Sequence, residues 1–95
     1  PIPSVFAASQ GLVSALAMAV AKDLGPRGVR VNVVALGLLG TGIGAELDAK
    51  LVEDYCAMSA LRRLGDAGEV ARTIVWLALH NTYLNGKVVS VNGGI

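Results

Sequence analysis

The stretch Val29-Arg-Val-Asn-Val-Val-Ala-Leu-Gly-Leu-Leu-Gly-Thr41 is the part of the sequence that decides the fold class. It is a nearly continuous apolar run that ends in a glycine turn, and such a run is typical of a parallel strand covered by helices on both faces. In open α/β sheets, ligands bind just beyond the carboxyl ends of the strands. We therefore expect a strand from Val29 to about Leu36, and any functional site at the turn from Leu36 to Thr41.

The composition limits the classes of function that the chain can have. Of its 95 residues, 54% are hydrophobic and 16% are charged, and the formal net charge is +1. This apolar share is high, so we expect part of the surface to be covered by more chain or by a partner subunit. Because no uncharged apolar run of about 18 residues and no basic cluster occur, we predict neither a membrane span nor a nucleic-acid site. A single cysteine, Cys56, and the lack of a signal-peptide pattern fit a cytoplasmic location, and we predict no metal site.

Two long helices are expected to be buried on more than one side. The first runs from Val5 to about Leu24, with Ser4 as its N-cap, and apolar residues cover most of its circumference. The second runs from about Ala67 to His80. Asp66, directly before it, and Glu69, in its first turn, have the spacing of a capping box. A position in the protein core is enough to explain this apolar surface. A helix–helix interface between subunits is a more specific interpretation of the same pattern.

The segment between the strand and the second long helix has a different character. Ala45 to about Ser59 has apolar residues at helical spacing with acidic residues between them, which predicts an amphipathic surface helix. Arg62 and Arg63 follow in a loop; they could bind an anion, but solvation or local pairing is the simpler interpretation. Lys87 to Val91 is predicted to be a short strand. Strands that alternate with helices indicate a parallel sheet with right-handed crossovers, here the last third to half of a larger doubly wound α/β domain.

Three motifs, in the same order, resemble one known family. Pro26 to Thr41 is similar to the sixth-strand region of the short-chain dehydrogenases/reductases, Arg63 to Ala71 to their Arg-x-Gly-x-Pro-Glu-Glu-Ile/Val-Ala stretch, and Tyr83 to Gly94 to their closing Tyr-Ile-Thr-Gly-x-x-x-x-Val-Asp-Gly-Gly. The type that the chain most resembles is the 3-oxoacyl-(acyl-carrier-protein) reductase. The resemblance implies that residues 1–95 are the C-terminal part of one domain, a portion of a Rossmann-like doubly wound parallel sheet. This portion has two strands, two long helices and a helical lid at residues 40–61.

The resemblance also implies a cofactor and an assembly. The family uses NAD(P)(H), and the residues here that correspond to its cofactor-side turn are Gly37, the backbone of Leu39, and Thr41, although Thr41 could equally cap the helix that follows it. No G-x-G-x-x-G phosphate loop occurs in these 95 residues. The family forms dimers or tetramers, so we expect a homo- or hetero-oligomer through the helices at residues 5–24 and 67–80.

The departure from the family lies at the start of the first helix. The family carries Tyr-x-x-x-Lys there, and the aligned residues are Phe6 and Gln10. In the family the tyrosine exchanges a proton with the substrate oxygen, while the lysine lowers the tyrosine pKa and holds the nicotinamide ribose. Phenylalanine has no hydroxyl, and glutamine can bind a ribose hydroxyl but carries no charge.

Three hypotheses follow from this departure. The chain is a non-catalytic member of the reductase family that acts as a structural or regulatory subunit, or it is an active NAD(P)-dependent oxidoreductase with a displaced acid such as Ser4 or Ser9. The third hypothesis is that the 95 residues are a segment of a longer chain, because the resemblance starts in the loop after the fifth strand.

Overall fold

The computed structural model describes residues 4–40 and 48–95. Its regular elements are, in chain order, helix α1 (Ser4–Leu24), strand β1 (Val33–Leu36), helix α2 (Ala49–Met58), helix α3 (Ala67–Val75) and strand β2 (Val88–Val91). A 3-10 turn, Gly25–Arg27, follows α1, and a π-helical turn, Trp76–His80, continues α3. The two strands are neighbours in one parallel sheet. The predicted mixed α/β class, as a portion of a Rossmann-like sheet, is confirmed.

The chain divides into two units, each with its own contacts. The first contains residues 4–33 and 82–89, and the second contains residues 34–40, 48–81 and 90–95. Helix α1 belongs to the first unit, whereas α2, α3 and the turn after β1 belong to the second. No helix in the described ranges is both long enough and apolar enough to cross a bilayer.

Helix α1 ends where the sequence predicts, but its apolar surface is left open. Gly25 and Pro26 stop the helix, and the residue that takes a left-handed conformation is Gly28, with φ 81° and its N–H donated to the Gly25 carbonyl. Among the described side chains of α1, Ala21 alone is buried. The expected burial on more than one side is therefore not supplied by these residues. The exposed apolar side chains of this helix include Val5, Leu12, Val13, Leu16 and Met18.

Two asparagines explain why β1 is shorter than the predicted strand from Val29 to Leu36. The Asn32 Nδ2 donates to the Leu84 carbonyl at 2.9 Å, and its Oδ1 accepts from the Lys87 N–H at 3.0 Å. The Asn85 Oδ1 accepts from the Val31 N–H at 2.9 Å. Side-chain amides thus replace ladder hydrogen bonds over residues 31–32, and regular pairing begins only at residue 33.

We expect Asn32→Ala to lower the free energy of unfolding by about 1–2 kcal/mol, because it removes a donor and an acceptor that cross from one segment to the other. Urea unfolding of the full-length protein measures this difference. Asn32→Asp is the matched probe, since it keeps the acceptor for the Lys87 N–H but places a carboxylate oxygen against the Leu84 carbonyl. An Asn32→Asp variant as stable as the parent would contradict the donor role.

Helix α2 begins later than predicted. Its N-cap is Asp48, whose Oδ1 accepts from the Lys50 N–H at 3.0 Å, and its first residue is Ala49 rather than Ala45. A capping carboxylate of this kind satisfies one of the free amides of the first turn, which fixes the start of the helix. Residues 45–47 of the predicted helix lie outside the described residues.

Helix α3 begins at the predicted residue, but the capping hydrogen bond predicted for the Asp66 side chain is wrong. Asp66 is the N-cap and its side chain makes no capping hydrogen bond. The Glu69 carboxylate accepts from Arg63 at 2.7 and 3.0 Å, and a weaker backbone hydrogen bond from Asp66 also lowers its pKa. The predicted helix from Ala67 to His80 is one continuous helical segment that changes from α to π at Trp76, where the Asn81 N–H donates to the Trp76 carbonyl at 2.8 Å.

Candidate functional site

The turn after β1 is held by backbone hydrogen bonds at both of its ends. The Gly37 N–H donates to the Val91 carbonyl at 2.9 Å, directly after the last residue of β1. Further on, the Gly65 N–H donates to the Leu38 carbonyl at 2.9 Å and the Gly40 N–H donates to the Gly65 carbonyl at 3.0 Å. The turn therefore has a fixed backbone at the carboxyl end of a strand, which is where the sequence predicts a site.

Leu39 lies between these bonds, and its own backbone N–H and C=O are in position to bind a ligand. Leu39 and Gly65 form an isolated parallel bridge, in which the hydrogen bonds are made by the residues that flank Leu39. The N–H and C=O of Leu39 itself point to the opposite side of the chain. One donor and one acceptor in the same peptide segment match the needs of a carboxamide group, so this backbone fits the amide of a nicotinamide.

Tyr55 of α2 is the residue of this site that the sequence reasoning missed. Its hydroxyl donates to the Asn92 carbonyl at 3.0 Å, just beyond the end of β2. A Cβ placed on Gly37 would overlap the Tyr55 hydroxyl oxygen and would lie 2.8 Å from both Cα and Cβ of Asn92. Tyr55 is one of the residues at helical apolar spacing between Ala45 and Ser59, a pattern that predicts only an apolar contact for it. The feature of the sequence that could have indicated this role is the tyrosine hydroxyl, because a partly buried hydroxyl usually has a hydrogen-bond partner.

The residues after β2 are hydrogen-bonded to the residues that follow α2. Ser59, which is fully buried, donates its hydroxyl to the Gly93 carbonyl at 3.0 Å. The same carbonyl accepts from the Leu61 N–H at 3.0 Å, and the Gly94 carbonyl accepts from the Ala60 N–H at 3.3 Å. The closing Asn-Gly-Gly motif therefore packs against the C-terminal end of the helix in the predicted lid segment.

Arg63 and Glu69 form an ion pair on a solvent-exposed surface, shortly before and within the start of α3. The paired side chains are 52% and 35% exposed. The hydrogen bond from Arg63 holds the pKa of Glu69 below its ordinary value, and the same bond raises the pKa of Arg63. Arg62 donates to the Ala57 carbonyl. The local-pairing interpretation of these arginines is confirmed.

The Glu69 pKa shift has a defined pH consequence. Because the folded-state pKa lies below the ordinary value of 4.5, the pair stabilises the fold above that pH and its contribution is lost as the pH falls through the lower folded pKa. We expect Glu69→Gln to reduce the free energy of unfolding slightly at pH 7 and not at all in stronger acid. Urea midpoints from pH 7 downward measure this, and salt should shrink the difference. A difference that persists at the lowest pH would contradict the pairing.

The sequence-predicted site residues fall in both units. Phe6 and Gln10 lie one helical turn apart on α1, so they share one side of that helix, and Gln10 is exposed. Gly37 and Leu39 lie together in the turn of the second unit, and Thr41 lies outside the described residues. Within residues 4–40 and 48–95, no group of three His, Cys, Asp or Glu side chains is placed to hold a metal ion.

Comparison with known proteins decides the family. The family model described as enoyl-(acyl carrier protein) reductase matches residues 1–95. The chain belongs to the short-chain dehydrogenase/reductase family. It is 40% identical over 92 residues to the short-chain type dehydrogenase/reductase y4mP of Sinorhizobium fredii, covering 95% of this chain and 36% of that protein. It is 34% identical over 90 residues to the 3-oxoacyl-(acyl-carrier-protein) reductase FabG of Buchnera aphidicola, covering 94% of this chain and 36% of that protein.

Solved structures agree with this assignment. A 3-oxoacyl-(acyl-carrier protein) reductase from Brucella melitensis superposes with a TM-score of 0.89 at 28% identity, over 95% of this chain and 34% of that one. A second reductase of that name and organism, solved with bound NAD, gives 0.83 at 27% identity, over 95% and 32% of the two chains. The short-chain dehydrogenase/reductase segment described here thus spans about a third of the length of the relatives it matches.

Proposed function

We propose that this short-chain dehydrogenase/reductase, of the 3-oxoacyl thioester reductase-like type, is catalytically impaired and acts as a non-catalytic subunit of an oligomer. The observation that carries the proposal is the pair Phe6 and Gln10 on α1, at the positions where the family has its tyrosine and lysine. A benzene ring exchanges no proton with a substrate oxygen. An amide at residue 10 supplies no positive charge that would lower the pKa of a neighbouring acid.

The expected size of the defect follows from general acid catalysis. A positioned acid contributes about 10²–10⁴-fold to such a step, and loss of the lysine adds to the cost. The chain keeps the features that support binding, since the Leu39 backbone fits a carboxamide and Gly37 leaves the turn tight. The relative with bound NAD supports NAD(P) as the cofactor. When bound, that cofactor supplies or accepts a hydride; the residues proposed to hold it here are Gly37, Leu39 and Thr41.

The proposed subunit role is supported by apolar surface on both long helices. Leu12 and Leu16, one turn apart on α1, are 69% and 64% exposed. On the segment that begins with α3, Trp76 and Leu79 are 49% and 73% exposed. Exposed apolar stripes of this kind favour burial against another chain of the same protein or of an active relative. Nucleic acid and membranes are not among the proposed partners, and a reducing cytoplasm is the proposed location.

An active enzyme with a non-standard proton donor is the second candidate. It is supported by Gly37 and Thr41, two residues that the family resemblance assigns to the cofactor side of the turn. Ser4 and Ser9 are the candidate donors on α1, but a serine hydroxyl is a far weaker acid than a tyrosine hydroxyl.

An assay of the purified full-length protein tests both candidates. With a 3-oxoacyl thioester and NADPH or NADH, we expect no sustained oxidation of the cofactor. Sustained turnover would refute the non-catalytic proposal. In that case, unchanged turnover in Thr41→Ala and Ser9→Ala variants would show that neither residue carries the chemistry.

A further inference from the structure

One point in the second unit joins three separate segments of chain. The Tyr55 hydroxyl, on α2, donates to the Asn92 carbonyl after β2 at 3.0 Å, and it covers the Cα of Gly37 in the turn after β1 so closely that no Cβ would fit there. Tyr55 is half-buried at this place. A single side-chain oxygen thus bonds the helix to the residue after β2 and lies against the glycine that follows β1.

We propose that Tyr55 is the positioning residue of the turn at residues 37–39, and that residue 37 is glycine because the Tyr55 hydroxyl and the Asn92 backbone cover it. The glycine is then required by the cofactor-free fold, before any cofactor approaches. The proposal deepens the function proposed above and rests on it only for the statement that this turn holds a nicotinamide.

The backbone of Gly37 supports this explanation by elimination. Glycine is often required where φ is positive, and the positive-φ glycines among the described residues are Gly28, Gly86, Gly93 and Gly94. The conformation of Gly37 is therefore one that an alanine could adopt. What an alanine lacks at residue 37 is space, because its methyl group would meet the Tyr55 hydroxyl and, at 2.8 Å, the Cα of Asn92.

The hydrogen bond assigns the Tyr55 hydroxyl to positioning rather than to catalysis. A phenol has one proton, and this one is donated to the Asn92 carbonyl. The bond holds the ring of Tyr55 beside Gly37, whose own N–H donates to the carbonyl of Val91, the residue before Asn92. Loss of the hydroxyl should therefore loosen the Gly37 end of the turn.

The other end of the turn provides an internal reference. The Gly40 N–H is bonded to the Gly65 carbonyl at 3.0 Å, and this bond involves neither Tyr55 nor Asn92. Gly37 and Gly40 can be followed separately by amide hydrogen exchange. The proposal predicts a change at the first amide that the second does not share.

Hydrogen exchange on the full-length, cofactor-free protein tests the proposal. In Tyr55→Phe, which removes one oxygen and keeps the ring, we expect the Gly37 amide to exchange about fivefold faster, as the loss of one neutral hydrogen bond predicts, with Gly40 unchanged. Tyr83→Phe is the matched control, since Tyr83 is 98% exposed and lies in the other unit. An unchanged Gly37 amide, or equal acceleration at Gly37 and Gly40, would overturn the proposal.

A second measurement changes the glycine instead of the tyrosine. Gly37→Ala should displace Tyr55 and accelerate exchange at the Ser59 amide, which is bonded to the Tyr55 carbonyl at 2.9 Å. Gly37→Ala should also lower the melting temperature. Adding Tyr55→Phe should recover part of that loss, because the overlap with the Tyr55 hydroxyl disappears and only the one with Asn92 remains. Strictly additive shifts, or a Ser59 amide that Gly37→Ala leaves unchanged, would overturn the proposal. Titration of the parent protein with NADPH is independent: absence of binding would count against the proposed cofactor and leave these exchange results standing.

Discussion

The double variant Phe6→Tyr with Gln10→Lys should reduce a 3-oxoacyl thioester with NADPH at least about 100-fold faster than the parent protein. The two positions lie one turn apart on α1 and therefore share one side of the helix. A tyrosine there restores a donor for the substrate oxygen, and a lysine one turn away lowers the pKa of that donor and can hold the ribose. Initial rates of NADPH oxidation by the purified full-length protein measure the gain.

The matched control moves the lysine off the shared side of the helix. Phe6→Tyr with Gly11→Lys introduces the same two side chains, but residue 11 is rotated by about 100° from residue 10 in an α-helix. The site at Gly11 is open, with nothing within 4 Å of an added Cβ, so the lysine itself should be tolerated. We expect this control to gain far less than the first double variant. Equal gains would contradict a specific role for residue 10.

Failure of the first double variant is also informative when binding is measured beside it. If NADPH still binds and no turnover appears, the missing proton donor is not what limits the parent protein. If NADPH does not bind, the turn at residues 37–39 does not hold the cofactor, and the structural subunit role is the part of the proposal that remains.

The local elements of the fold could be predicted because local chemistry decides them. Strong helix formers followed by Gly25 and Pro26 define α1 and its end, and an apolar run followed by Gly37 defines β1 and its turn. The pairing of Glu69 with Arg63 could not be predicted from the capping-box spacing of Asp66 and Glu69. A bidentate pair with Arg63 gives the Glu69 carboxylate two charge-assisted hydrogen bonds, whereas a capping box would give it one such bond to a backbone amide.

The tertiary part of the site could not be predicted from the local pattern. Tyr55 and Asn92 are 37 residues apart, and nothing near either residue in the sequence specifies the other. Asn32 shows the same limit, because its partners lie more than 50 residues away and shorten a strand whose sequence pattern alone predicts a longer one. The turn at residues 36–41 could be predicted because it follows a strand, and the roles of Gly37 and Leu39 come from the family resemblance. The contact of Tyr55 with Gly37 could not be predicted, because only tertiary packing brings α2 over the turn.

The variant Gly94→Ala should lower the free energy of unfolding of the full-length protein by about 2–5 kcal/mol, because two costs combine at this residue. Gly94 has φ +92°, which is unfavourable for a residue with a Cβ by about 1–2 kcal/mol. The added methyl group would also lie 2.7 Å from the Cβ of Ala60, and such overpacking costs about 1–3 kcal/mol. Urea or thermal unfolding measures the sum.

Two further variants separate the costs at Gly94 from a general effect of the substitution. Gly11→Ala, the same change in the open middle of α1, should stabilise the protein by about 0.5–1 kcal/mol, since alanine is the better helix former. Ala60→Gly combined with Gly94→Ala removes the methyl contact but not the positive φ, so it should recover only the packing part of the loss. A Gly94→Ala variant within about 0.5 kcal/mol of the parent, the range of ordinary surface substitutions, would show that the closing glycines do not hold the end of α2 as the hydrogen bonds from Ala60 and Leu61 indicate.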